Sequence, residues 1–275
     1  MSEIEDLMKY AEDKSVATQK SYNQLYRRLR ALLGNRDIAS ASEKMILKVI
    51  DMENINSKQG MINIANIIRK QNNLPHKLLD DTREANKKLL QTHVREKNAN
   101  LSELPSYKDI VDFTEVLYEK NDYTSFIINY LMLNFFVRNK DLNFDIVKRK
   151  KDMTDDSLNY MWLTNNKAVY RRNIYKTKDT YGTKEHTITD KKFLLAMRRV
   201  VKCQESDLEC GTFIPNENQI GYYIKKATLK NIGETAYMKI IVNHFKSDLQ
   251  KIKQIGESRG TATDTIIESY DLDNK

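Results

Sequence analysis

FIINYLMLNFFVRNKD, Phe126 to Asp141, is a nearly unbroken apolar run that ends on one cation, Arg138, with Asp141 three residues further on. The run is about a dozen residues long and is interrupted by Asn129 and Asn134, too short and too polar to span a bilayer. It reads as a buried core helix whose last turn delivers Arg138 to a polar site. Downstream, AVYRRNIYKTKDTYGTKEHTI, Ala168 to Ile188, reads as two β-prone segments around a turn rich in Lys, Asp and Gly. The helix-like TDTIIESY then closes on Tyr270. An arginine, a hairpin lysine and a late tyrosine in that order point to phosphodiester chemistry.

The charge balance agrees with a polyanionic partner. Lys and Arg number 46 against 38 Asp and Glu in 275 residues, a formal net charge of +8. The excess gathers in short clusters: Arg27, Arg28 and Arg30; Lys148 to Lys151; Arg171 and Arg172; Lys225 and Lys226. The candidate DNA-binding residues are Arg27, Arg28, Arg30, Lys148, Arg149, Arg171 and Arg172, with Lys178 and Lys184 of the hairpin. For each cluster alone the alternative is a solvated helix face. Cys203 and Cys210, in CX6C spacing with scattered histidines, form no zinc pattern. The isolated glycines build no phosphate loop, and neither HExxH nor a serine elbow is present. No cofactor, metal or nucleotide is therefore expected. The start MSEIEDLMKY lacks the basic and apolar regions of a signal peptide, so an intracellular protein is expected, in host nucleus, cytoplasm or virion if viral.

Periodicity divides the chain. Helices are expected at Ser15 to Leu33, Ser42 to Met52, Ser57 to Gln71 and Lys77 to Glu96, an N-terminal all-α domain over residues 1–96. Residues 97–106, KNANLSELPS, lose the pattern and read as a linker. The C-terminal domain, 107–275, is expected to carry a helix from Tyr107, the apolar helix, strands at Tyr160 to Leu163, Ala168 to Tyr175 and Glu185 to Thr189, and then helices to its end. The fold class is mainly α with a small antiparallel sheet, α+β.

In these motifs the chain resembles the tyrosine recombinase and integrase family, in particular members carried by large DNA viruses and mobile elements. VRNKDL, Val137 to Leu142, is similar to the family's first arginine box, with Arg138 followed by Asp141. YKTKDTYGTKEHTI, Tyr175 to Ile188, resembles the hairpin of the catalytic lysine, which would be Lys176, with Lys178 the alternative. IGESRGTATDTIIESY, Ile255 to Tyr270, resembles the closing box that ends in the nucleophilic tyrosine, and ATQKSYNQLYRRL resembles the start of a core-binding domain. Where the family's HxxR box is expected, ETAYMKIIVNHF offers Ala236 for the histidine and Lys239 for the arginine, and Gly256 is followed by Glu257 rather than histidine.

The resemblance implies a two-domain clamp around double-stranded DNA, acting as a homo-oligomer, a tetramer on two duplexes, in DNA recombination and integration. Its tyrosine, Tyr270, would attack a phosphate and form a 3′-phosphotyrosyl intermediate, while Arg138 and Lys239 neutralise the phosphate and Lys176 protonates the leaving oxygen. The departures in the HxxR segment keep open a catalytically inactive recombinase-fold DNA-binding or virion protein. A helical protein-interaction module is the reading from outside nucleic-acid biology.

Overall fold

In a computed structural model of the chain, residues 2–99, 103–175, 178–201 and 209–270 are described. The chain separates into two compact units, Met1–Lys97 and Asn98–Lys275.

The first unit is helical: α1 (Glu3–Tyr10), α2 (Val16–Leu32), α3 (Glu43–Val49), α4 (Ile55–Gln71) and α5 (Lys77–Ala99). Ser15, Ser42 and Asn54 cap α2, α3 and α4 by accepting the backbone N–H three residues on. Leu7, Tyr26, Leu29, Ile46, Ile64 and Ile68 lie in its core. Helix α5 runs on through the first three residues of the expected linker, 97–99, and the division between the two units falls within them.

The second unit holds α6 (Tyr107–Glu119), α7 (Tyr123–Phe135), β1 (Asp145–Val147), β2 (Tyr160–Leu163), β3 (Ala168–Arg172), the short α8 (Lys178–Tyr181), β4 (Lys184–Ile188), α9 (Lys191–Val200), β5 (Glu209–Thr212), α10 (Ile220–Ala227), α11 (Glu234–Phe245), α12 (Leu249–Arg259) and α13 (Thr263–Tyr270). The fold is mainly α with one small five-stranded sheet, ordered β4-β3-β2-β1-β5. That sheet is mixed rather than antiparallel, since β1 runs parallel to β2. The hairpins β2–β3 and β3–β4 are antiparallel.

Helix α7 is the centre of the core. Asp122 caps it through Ser125 N–H at 3.2 Å, and Phe126, Ile127, Ile128, Leu131 and Met132 are buried between α6, α9 and α10. Asn129, fully buried, donates to the carbonyls of Ser125 at 2.8 Å and Ala227 at 2.7 Å, so the one polar break in the helix interior ties α7 to α10. The helix stops at Phe136, which takes a left-handed conformation with φ of 50° although it is not glycine. A bulky residue is held there only if its surroundings fix it.

No helix among the described residues is long and apolar enough to cross a membrane.

Phe193 of α9 is fully buried in this core. Phe193→Ala should lower the stability of the second unit by about 3–5 kcal/mol. Denaturation followed by the fluorescence of Trp162, the single tryptophan and a β2 residue, measures it; an unchanged midpoint would mean that α9 does not carry the core.

Candidate functional site

The pleat of the β3–β4 hairpin builds the floor of the site. Cross-strand partners project to the same face, and the register pairs Arg172 with Lys184 and Tyr170 with His186. Arg171 pairs with Glu185 on the other face, where their side chains bond at 2.9 Å. The alternation thus splits the Arg171–Arg172 doublet, leaving one arginine outside and sending the other into the core.

Arg172 is fully buried. Its Nη1 donates to Asp141 Oδ2 at 3.1 Å, and its Nη2 lies 3.1 Å from His186 Nε2 and 2.9 Å from Ser258 Oγ. The same Asp141 oxygen accepts the backbone N–H of Arg138 at 2.9 Å, and the Asp141 carbonyl accepts the Tyr170 hydroxyl at 2.6 Å. Asp141 therefore fixes the chain just after α7 to the sheet floor.

The roof comes from α12 and α13. Helix α12 ends in a Schellman turn: Thr261 N–H bonds the Gly256 carbonyl at 2.8 Å, and Gly260 sits left-handed at φ of 59°. A Cβ on Gly256 would stand 2.8 Å from the Thr261 carbonyl, so the close return of the chain requires glycine there. The turn presents Thr261 Oγ1 to Arg138 Nη2 at 2.6 Å. Arg259, 2% exposed, donates through Nη1 to the carbonyls of Phe136 at 3.1 Å and Val137 at 3.4 Å, which holds the left-handed end of α7 in place. Its Nη2 donates both to Glu234 Oε1 at the start of α11 and to the Tyr270 hydroxyl at 3.0 Å. Asn243 of α11 donates to the Tyr270 carbonyl at 2.9 Å, and Ile266 is buried behind α13.

Positive charge dominates the result. Arg138, Arg172, Lys184 and Arg259 are set against the carboxylates of Asp141 and Glu234. Burial, then the Arg259 guanidinium, pull the pKa of Arg138 below its ordinary value, and Arg138 Nη1 has no hydrogen-bond partner among the described residues. Burial, then Arg172, lower Lys184 to about 8. Its ammonium donates to the carbonyls of Glu257 and Ser258 at the C-terminal end of α12, where the helix dipole favours a cation. His186 is pushed down to about 4 by burial, then by Arg172 and Lys184. It is neutral at pH 7, and since arginine only donates, its Nε2 is the acceptor. For Arg259 burial opposes the charge, but Glu234 and Tyr270 outweigh it and the pKa is raised. A cluster of cations with a tyrosine hydroxyl on one of its arginines suits an oxyanion.

The residues anticipated from sequence are distributed unevenly around this cluster. Arg138 and Tyr270 belong to it: Arg259 bonds both the Tyr270 hydroxyl and the carbonyls of Phe136 and Val137 that precede Arg138. Lys176 lies outside the described residues. Lys239 is 6% exposed on α11, flanked by the buried Met238 and Ile240 to Val242. Arg172 is likewise no surface cation but the buried hub. Lys178 donates to the Asp156 carbonyl at 3.1 Å, and Lys184 enters the cluster as an additional site cation. Arg27 is exposed on α2, Arg28 pairs with Glu53, Arg30 with Asp37 and Arg149 with Asp152. The Lys148 carbonyl accepts the Trp162 indole at 2.9 Å.

Sequence reading missed Arg259 and Glu234. The available signal was S-R-G: a helix-terminal arginine beside a stop glycine, eleven residues before Tyr270. Among the described residues no group of His, Cys, Asp and Glu could hold a metal ion. A cavity of about 280 Å³ bounded by Ile146, Leu163, Arg198 and Val201 shares no residue with the cluster.

The electrostatics of the cluster can be tested in two ways. Arg172→Ala should destabilise the second unit by about 3–5 kcal/mol, because it strands the Asp141 carboxylate in the core. The double change Arg172→Met with Asp141→Leu should cost less than the sum of the single changes by chemical denaturation, and additivity would exclude the pair as a unit. Lys184 binds its proton less tightly folded than unfolded, so stability should rise with pH from about 8 towards the unfolded value near 10.4. Lys184→Met should flatten that rise in melting temperatures measured between pH 7 and 10.5, and an identical slope in the variant would contradict the assignment. No protein-family model, curated protein or solved structure matches this chain.

Proposed function

We propose that this protein cleaves and rejoins double-stranded DNA through a covalent phosphotyrosine, in the manner of the tyrosine recombinases that its sequence resembles. The observation that carries the proposal is the 3.0 Å hydrogen bond between Arg259 and the Tyr270 hydroxyl, in a cluster that Arg138 and Lys184 also charge. Three stretches far apart in sequence, those of the arginine box, the hairpin and the closing box, supply that cluster.

Tyr270 is the nucleophile, and its oxygen attacks the scissile phosphorus to give a 3′-phosphotyrosyl bond. Phosphoryl transfer is accelerated mainly by positioning and by neutralising the non-bridging oxygens. Arg138, half-buried and with Nη1 unpartnered among the described residues, is the group for that task. Arg259 positions Tyr270 and occupies the role anticipated for Lys239. Lys184 takes the role anticipated for Lys176: an ammonium whose pKa is near 8 can give a proton to the departing 5′ oxygen at neutral pH. A second reading, a recombinase-fold DNA-binding protein without catalysis, is favoured by the near-complete burial of Arg259.

A nicked suicide duplex, from which the released strand diffuses away, separates the two. The parent should form a denaturation-resistant protein–DNA adduct, and Tyr270→Phe should abolish it. Arg138→Ala should slow adduct formation by about a hundred- to a thousand-fold, with duplex affinity within a few-fold by fluorescence anisotropy. Tight, salt-dependent binding with no adduct in the parent would support the non-catalytic reading instead.

A further inference from the structure

Strand cleavage by Tyr270, the proposed function on which this inference rests, requires the tyrosine hydroxyl to lose a proton, and the cations around it cannot accept one. Arg259 only donates to it, and no hydrogen bond donated by Tyr270 Oη is present among the described residues. His186 accepts from Arg172 through Nε2, and Asp141 is 1% exposed and engaged by Arg172 and by the Arg138 backbone. Glu257 is directed to Lys253 at 4.0 Å. Glu234 is different: its Oε1 shares with Tyr270 Oη the single nitrogen Arg259 Nη2. Two acceptors on one amino group stand no more than about 6 Å apart, the span of two hydrogen bonds or one bridging water.

Glu234 is also placed to stay. It is the first residue of α11, with Gly233 as N-cap, where the helix dipole favours a carboxylate. The charged and titratable groups around it are Arg259 from α12, Tyr270 from α13 and Arg138 from the corner after α7, while Lys225 of α10 lies near the preceding residue, its Cε 3.9 Å from the position of a Cβ on Gly233. Its side chain is 15% exposed, enough for a proton to leave.

We infer that Glu234 is the general base of the reaction, taking the proton of Tyr270 as the tyrosine oxygen attacks. The step balances within the cluster. The bond from Tyr270 Oη to phosphorus forms, the bond from phosphorus to the 5′ oxygen breaks, the tyrosine proton passes to Glu234, and Lys184 supplies a proton to the 5′ oxygen. Rejoining reverses each transfer, so Glu234 acid and neutral Lys184 are the forms that the covalent intermediate carries.

The test is adduct formation on the nicked duplex by the full chain, in single turnover, with Glu234→Gln and Glu234→Ala. A general base contributes about a hundred- to ten-thousand-fold, so both variants should be slowed within that range while duplex affinity is retained. Glu234→Gln keeps an acceptor for Arg259; its rate should lose the plateau of the parent and climb with hydroxide. Glu234→Ala should be rescued by added formate and more strongly by acetate, in order of basicity. Rescue to the same extent by chloride would mean that Glu234 only anchors Arg259, and would overturn the inference. Where Glu234→Ala does not fold, as judged by circular dichroism, the pH profile of Glu234→Gln decides: a profile matching the parent overturns the role. An adduct in the parent with unimpaired Glu234 variants removes this role alone. No adduct in the parent removes strand cleavage, and the role with it.

Discussion

One carboxylate oxygen, Asp141 Oδ2, holds the second unit's polar interior together. It accepts the buried guanidinium of Arg172 from the sheet and the backbone N–H of Arg138 from the end of α7. A buried ion pair contributes little net stability over a hydrophobic replacement, since desolvation offsets most of the attraction. Its effect here is one of geometry. Arg172 has bonds to three elements, and each must be in place for the buried charge to be satisfied. Sheet, helix end and α12 are therefore positioned together or not at all.

A second arginine does the same from above. Arg259 spends its donors on the two carbonyls left exposed by the left-handed stop of α7, on Glu234 and on Tyr270. The conformational cost at Phe136 is compensated by that guanidinium. Arg138 emerges between the two arginines, with a backbone held by Asp141 and a side chain held by Thr261. A cation fixed at both ends loses little further freedom when an anion arrives.

Much of this was legible. The apolar run of α7 and the hairpin carrying Lys184 follow from periodicity and turn residues, whereas the helix, expected to deliver Arg138 from its last turn, instead stops at Phe136 and leaves Arg138 in the extended corner beyond it. The capping box Ser2–Glu5 was available for α1 and passed unread. Strands β1 and β5 could not be read, because three or four residues containing Asp, Glu or Gly show no alternation. Arg171 and Arg172 look alike as a basic doublet, and only the pleat, invisible without register, assigns one to water and one to the core. Lys239 lies on α11, whereas Arg259 lies one helix later, at a turn whose geometry depends on Gly256 and Gly260 and is not visible in spacing alone.

The Schellman turn after α12 has a further consequence. It folds the last helix back so that Tyr270 meets an arginine from the same chain, with only eleven residues of separation and a glycine pivot at the first of them. Tyr270 and Arg259 thus meet within one chain, and a contact of that kind forms as the chain folds, with an effective concentration set by the short loop between them.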